Sequence, residues 1–238
     1  MKKILISIVA LALLTACGGG ENQRVEKNIK AFTKEEQARL TPAAVIEILK
    51  KGNQEFVDDG LTVRNNTELV RDAAKGQYPM AVILSCLDSR VPVEDVFHRA
   101  IGDIFVARVA GNIVNVDMLG SMEFACAASG AKLVMVLGHG SCGAVKSAID
   151  DVQLGNITDM LSKIQPAVSK SKTSFTGETT SQNSDFVETV GHANVTMAVA
   201  EIREKSPILK EMEDSGQIKI IGAYYDLYTG KVEFFENI

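Results

Sequence analysis

Two short strings in the chain carry residues able to do chemistry. They are Cys86-Leu87-Asp88-Ser89-Arg90 and His139-Gly140-Ser141-Cys142-Gly143. Together they offer three soft metal ligands, Cys86, His139 and Cys142, and an Asp88/Arg90 pair. Thiolate and imidazole suit Zn²⁺, and two Cys plus one His leave a fourth coordination position open. An incomplete protein shell marks a catalytic zinc rather than a structural one. Two thiolates bring the metal's charge near zero, so neighbouring groups must help activate a bound water. Asp88 and Arg90 lie two apart and point the same way in extended backbone. Arg can hold a carboxylate in a planar two-point ion pair, which lowers the carboxyl pKa and fixes its direction. An Asp88 so held can accept the proton of the bound water and keep the oxygen lone pair aimed at a substrate. If the pair broke, Asp88 is close enough in sequence to Cys86 to bind the metal and close the site.

Between Cys86 and His139 lie 52 residues, so neither string is a local zinc knuckle. Each follows an apolar run that reads as a buried strand, Met80 to Ser85 and Lys132 to Leu137. Adjacent parallel strands would bring all three ligands to one sheet edge, the place where open α/β sheets hold ligands. Gly138, Gly140 and Gly143 let the backbone bend closely around a metal. A further strand is expected over 103–109 and another over 218–224. The run 231–235, after a turn containing Asp226, Thr229 and Gly230, reads as an antiparallel edge strand. Helices are expected from a capping-box-like start at Thr33-Lys34-Glu35-Glu36, over about 41–56, 91–97 and 117–129, and from Cys142 onward. Gly130 is a plausible helix stop. Residues 156–205 read as helical, interrupted by a surface loop over 169–184. The fold class that follows is α/β, with a mostly parallel central sheet, an antiparallel edge strand and flanking helices.

The chain has 238 residues, 46% hydrophobic and 23% charged, enough for one sizeable α/β domain. Net charge is −5 with no Lys/Arg cluster, which argues against a nucleic-acid partner. Trp is absent and aromatics are 5%, so stacking platforms are not expected. Lys2 and Lys3 precede an apolar run from Ile4 to Leu14, 11 residues and too short for an ordinary spanning helix. The following Leu14-Thr15-Ala16-Cys17 resembles the bacterial lipoprotein lipobox, with lipid on Cys17. The expected organisation is therefore signal peptide and lipobox over 1–17, tether over 18–32 and one domain over 33–238. Gly18 rather than Asp after Cys17 favours a periplasm-facing, outer-membrane anchorage. Cys126 sits in a small-residue helix and reads as a buried free thiol. His98 and His192 read as surface or helix-face residues.

The complete pattern Cys86-x-Asp88-x-Arg90 with His139-x-x-Cys142-Gly143 resembles the β-class carbonic anhydrases, over about 41–238. The resemblance implies a zinc enzyme interconverting CO₂ and bicarbonate, with zinc-bound hydroxide as nucleophile and a homodimer or dimer of dimers as the working unit. It implies Cys86, His139 and Cys142 as ligands, with water or, in a closed state only, Asp88 as the fourth. Gln77, nine residues before Cys86, matches a substrate-binding Gln of the plant-type subclass, and Phe105, nineteen after it, an apolar wall residue. Phe124 stands where that subclass has Tyr, so one wall hydroxyl is missing. Gly111 is expected to approach the pocket closely through its backbone. Two alternatives remain on the same scaffold. One is a COS or CS₂ hydrolase using the same zinc site. The other is a non-catalytic redox relative with a Cys86–Cys142 disulfide, which an oxidising compartment would favour.

Overall fold

The computed structural model describes residues 32–58 and 66–238, so Cys17 and almost all of the tether lie outside the described residues. Five strands form one sheet: β1 (Ala81–Ser85), β2 (Ile104–Arg108), β3 (Leu133–His139), β4 (Lys219–Tyr225) and β5 (Val232–Phe235). Their order is β2-β1-β3-β4-β5, parallel throughout except for the β4–β5 pair. The mostly parallel sheet with an antiparallel edge strand is the fold class read from the sequence.

Every residue of β1 and β3 is buried, because helices cover both faces of the sheet. Strand residues alternate between those faces. Val82, Leu84, Val134, Val136 and Ile220 enter one core, with Val195, Ala198 and Ile202 from the long helix above them. Ala81, Ile83, Leu133, Met135 and Ile221 enter the other, against Val45, Ile46, Leu49, Val96 and Phe97. A third apolar cluster, with Ile164, Phe186 and Val190, packs beneath Cys86 and Cys142.

The helices are α1 (Lys34–Arg39), α2 (Pro42–Val57), α3 (Asn66–Ala73), α4 (Val93–Val96), α5 (Val116–Glu123), α6 (Gly143–Ile149), α7 (Gly155–Ser162), α8 (Gln165–Ser174), α9 (Ser184–Lys205) and α10 (Pro207–Asp214). The capping box forms as read: Glu36 N donates to Thr33 Oγ1 at 3.2 Å and Thr33 N to Glu36 Oε2 at 2.8 Å. Three sequence expectations change. The polar stretch from Ser169 is helical to Ser174, because Ala167, Val168 and Ser171 bury one side of α8, and only the residues from Phe175 to Asn183 form a loop. The helix expected over 117–129 widens into a π-helical turn at Phe124–Ala128, ended by Gly130 at φ +81°. His98 is buried with φ +50°, its Nδ1 3.8 Å from Glu55 Oε2, rather than on the surface.

Topology decides where the chemistry sits. The chain leaves β1 toward β2 on one side, and leaves β3 toward β4 on the other. The carboxyl ends of β1 and β3 therefore flank a topological switch point, where crossovers diverge and open a crevice.

Candidate metal centre

Cys86 follows the last residue of β1, and His139 ends β3. The register pairs Ser85 with Leu137, which sets Cys86 level with Gly138, one residue before His139. A side chain at Gly138 would meet Val195 Cγ2 at 2.5 Å and Tyr224 Cδ2 at 2.9 Å, so only Gly lets α9 close on the strand end here. After His139 the chain turns through Ser141 at φ +51°, and Cys142 caps α6. Cys86, His139 and Cys142 thereby converge, with their ligand atoms all within 4.8 Å of one another and all three residues buried. Among the described residues no other cluster of three metal-binding side chains forms.

The donor set fits zinc. The two sulfurs stand 3.8 Å apart. A tetrahedral ion with Zn–S bonds of about 2.3 Å has an S···S edge of about 3.8 Å. A disulfide needs about 2.05 Å, and both residues are free thiols here. His139 Nδ1 lies 2.9 Å from the Gly140 carbonyl, which makes Nδ1 the protonated nitrogen and leaves the Nε2 lone pair for a metal. Nε2 is buried and has no hydrogen-bond partner, an orphan that a cation would satisfy.

The thiols share a proton unequally. A hydrogen bond from Cys142 lowers the Cys86 pKa against the effect of burial, and the Gly111 amide reinforces this. Cys142 is pushed up by that same bond to Cys86 and by burial. The pairing thus favours the thiolate, the form that metals require, at Cys86. Gly111 N–H donates to Cys86 Sγ at 3.3 Å. Gly111 has φ +70°, and a Cβ there would meet Ile164 Cδ1 at 2.6 Å. Its backbone N–H is thereby in contact with the Cys86 sulfur.

Asp88 and Arg90 form the two-point pair. Arg90 Nε and backbone N each donate to Asp88 Oδ1 at 2.9 Å, and one terminal guanidinium nitrogen donates to Oδ2 at 2.7 Å. Arg90 holds the Asp88 carboxyl well below the usual carboxylate range. Oδ2 also faces His139 Nε2 at 3.8 Å, which places a fixed negative oxygen at the mouth of the centre.

Sequence reasoning missed Arg108. This last residue of β2 donates from Nε to the Cys86 carbonyl at 3.1 Å and from its terminal nitrogen to the Asp88 carbonyl at 2.6 Å. A charged residue ending an otherwise apolar strand was the available signal. The fold of the chain does not bring Gln77 or Phe105 to this centre. Phe105 pairs with Val82, four residues before Cys86 or about 13 Å along the strand. Gln77 is exposed and precedes β1, at the opposite end from Cys86. Phe105 instead lines an open groove of about 650 Å³ with Val116, Met118 and Phe124. Its ring meets that of Phe124 edge-on at 6.5 Å. His192 packs on Tyr224 with ring centroids 4.0 Å apart. Burial pushes the Cys126 thiol up to about 12, as suits an inert core residue.

Comparison with known proteins points the same way. A family model described as "Carbonic anhydrase" matches residues 81–232. The chain is 35% identical over 207 residues to a carbonic anhydrase of Mycolicibacterium smegmatis, covering 83% of this chain and 95% of that protein. It is 33% identical over 204 residues to carbonic anhydrase 2 of Mycobacterium tuberculosis, covering 83% and 94%. Among solved structures, a tetrameric β-carbonic anhydrase of Sordaria macrospora superposes with a TM-score of 0.64 at 22% identity, covering 71% of this chain and 86% of that one.

Proposed function

This chain belongs to the β-class carbonic anhydrases and is an enzyme of CO₂ hydration, and from that premise we propose that it works through zinc held by Cys86, His139 and Cys142, in the open-site manner of the plant-type subclass. The observation that carries the reading is the buried Cys86–His139–Cys142 cluster with its 3.8 Å sulfur separation, beside an intact Asp88–Arg90 pair. Zinc held there supplies a Lewis acid that makes water a nucleophile near neutral pH.

The chain's own residues do the rest. Asp88 is engaged by three donors of Arg90 and therefore stays out of the metal's fourth position. Its depressed pKa makes it a poor store for a proton but a dependable hydrogen-bond acceptor. Asp88 thus orients the attacking water by accepting its O–H, and the proton released in the reaction leaves to buffer. Arg108 holds the Cys86 and Asp88 carbonyls, so the ligand and the orienting carboxylate keep one relative geometry.

Gln77 and Phe105 lie too far from Cys86 to act within one subunit. We assign them to the centre of a second copy. β2 is an edge strand, and Phe105, Val116 and Phe124 form an unpartnered apolar groove beside it. Pairing of two such edges would build the apolar wall and place the Gln77 amide by the product. The tetrameric assembly named for the Sordaria protein supports a homo-oligomer of this kind.

The setting follows from the leader. Lys2, Lys3, the apolar run and Cys17 support cleavage after residue 16, lipid on Cys17, a tether to residue 32 and a domain from 33 to 238 on the periplasmic side of a membrane. Among the described residues no helix is long and apolar enough to cross a membrane. Labelling cells with a fatty-acid probe should mark the parent and not Cys17→Ser. The activity is tested by stopped-flow CO₂ hydration with parallel metal analysis. About one zinc per chain and loss of activity on chelation, restored by zinc, are expected. An active, zinc-free preparation would sink the reading.

A further inference from the structure

We propose that Glu188 and Asn194, both on α9, are positioning residues for the metal centre, each holding one of the loops around it. The inference rests on the zinc reading above. Neither residue touches a ligand atom; each acts through one backbone group.

Glu188 Oε1 accepts the Ser141 amide at 2.9 Å. Ser141 lies between His139 and Cys142 and is held at φ +51°, a left-handed conformation that non-glycine residues seldom adopt. Such a turn persists only where its surroundings enforce it. A carboxylate acceptor makes the stronger kind of hydrogen bond, and it takes the one donor at the apex of this turn. Gly140 lets the carboxylate lie against the loop, since a Cβ there would stand 3.3 Å from Glu188 Oε1. Glu188 therefore fixes the angle between the His139 and Cys142 side chains.

Asn194 is 5% exposed, and its Nδ2 donates to the Gly111 carbonyl at 2.8 Å. Gly111, at φ +70°, in turn donates its N–H to Cys86 Sγ. Asn194 thus holds the turn that aims this N–H at the sulfur. An N–H···S bond draws charge from the thiolate and leaves a bound metal more electrophilic. The two residues are six apart, about 9 Å along the helix axis. One rigid helix of 22 residues therefore spaces the Ser141 turn from the Gly111 turn, and with them the ligands they support.

The test reconstitutes metal-free full-length protein with zinc, with affinity read by chelator competition. It does the same with cobalt(II), whose absorption bands report thiolate donation and geometry. Glu188→Ala and Asn194→Ala should each weaken zinc binding about tenfold or more and shift the cobalt bands, with the circular-dichroism spectrum unchanged. Glu188→Gln keeps an acceptor oxygen and should stay within about threefold of the parent, whereas Asn194→Asp turns the donor into an acceptor and should lose as much as Asn194→Ala. If the alanine variants fail to fold, Glu188→Gln and Asn194→Asp carry the test alone. Parent-like zinc affinity and cobalt spectra in Glu188→Ala and Asn194→Ala, or in Asn194→Asp, overturn the inference. So does a Glu188→Gln variant about tenfold or more weaker than the parent. A parent protein that takes up neither metal overturns the zinc reading itself, a separate and earlier failure.

Discussion

Replacing Gly111 with Ala adds one methyl group to the turn that faces Cys86. The backbone there has φ +70°, where a Cβ costs about 1–2 kcal/mol. The new methyl would sit 2.6 Å from Ile164 Cδ1 and 3.2 Å from Ala144 Cβ. Ile164 is fully buried and has no open side to move into, so overpacking adds about 1–3 kcal/mol. Ala also restricts the unfolded chain, which offsets about 0.4–1 kcal/mol of the loss. The net destabilisation is about 1–4.5 kcal/mol, or roughly 2–18 °C in Tm for a domain of this size. The measurement belongs on metal-free protein, because bound metal raises Tm through its own affinity. The shift that relieves the clash must also move Gly111 N–H away from Cys86 Sγ, so zinc affinity should fall alongside Tm. A variant within about 2 °C of the parent, with unchanged zinc affinity, would refute the strain argument and the N–H···S contact together.

Three further outcomes follow from the geometry. Asp88→Asn should keep full zinc content yet lose about a hundredfold or more in kcat for CO₂ hydration, because an amide nitrogen would face Arg90 and the orienting acceptor is halved. The folded pKa of Asp88 is depressed. The stability that Asp88→Asn removes should therefore be present at neutral pH and shrink as pH falls through the folded value, as pH-dependent melting would show. On the proposed pairing of β2 edges, Phe105→Glu should give a smaller species in sedimentation and lower kcat/KM about tenfold or more with zinc per chain unchanged, since an unpaired charge would be buried there. Cys126→Ala should leave activity intact, and a thiol reagent on folded metal-free protein should reach Cys86 well before Cys126, whose thiol burial keeps protonated.

Residue types and short-range spacing were enough to single out Cys86, His139 and Cys142, which the structure brings together, the Asp88–Arg90 pair and the mostly parallel sheet. A ligand set is chemistry, which side chains declare outright. A buried parallel strand is a continuous apolar run, which β1 is as far as Leu84 and β3 as far as Leu137. The turn after β4 was legible for a similar reason: Asp226 Oδ1 accepts from Tyr228 N and Thr229 N, and Gly230 takes φ +72°, local events within five residues. What only the tertiary structure decided is everything that acts across distance. Strand order set Cys86 level with Gly138, created the switch-point crevice and carried Phe105 about 13 Å from the centre where the family resemblance had put it. Arg108, Glu188 and Asn194 sit 22, 47 and 83 residues from Cys86, Ser141 and Gly111, whose backbone they hold, and no local pattern marks them. Ligand identity is a property of side chains, but the aim of those ligands is a property of backbone hydrogen bonds that exist only once helix and sheet have packed.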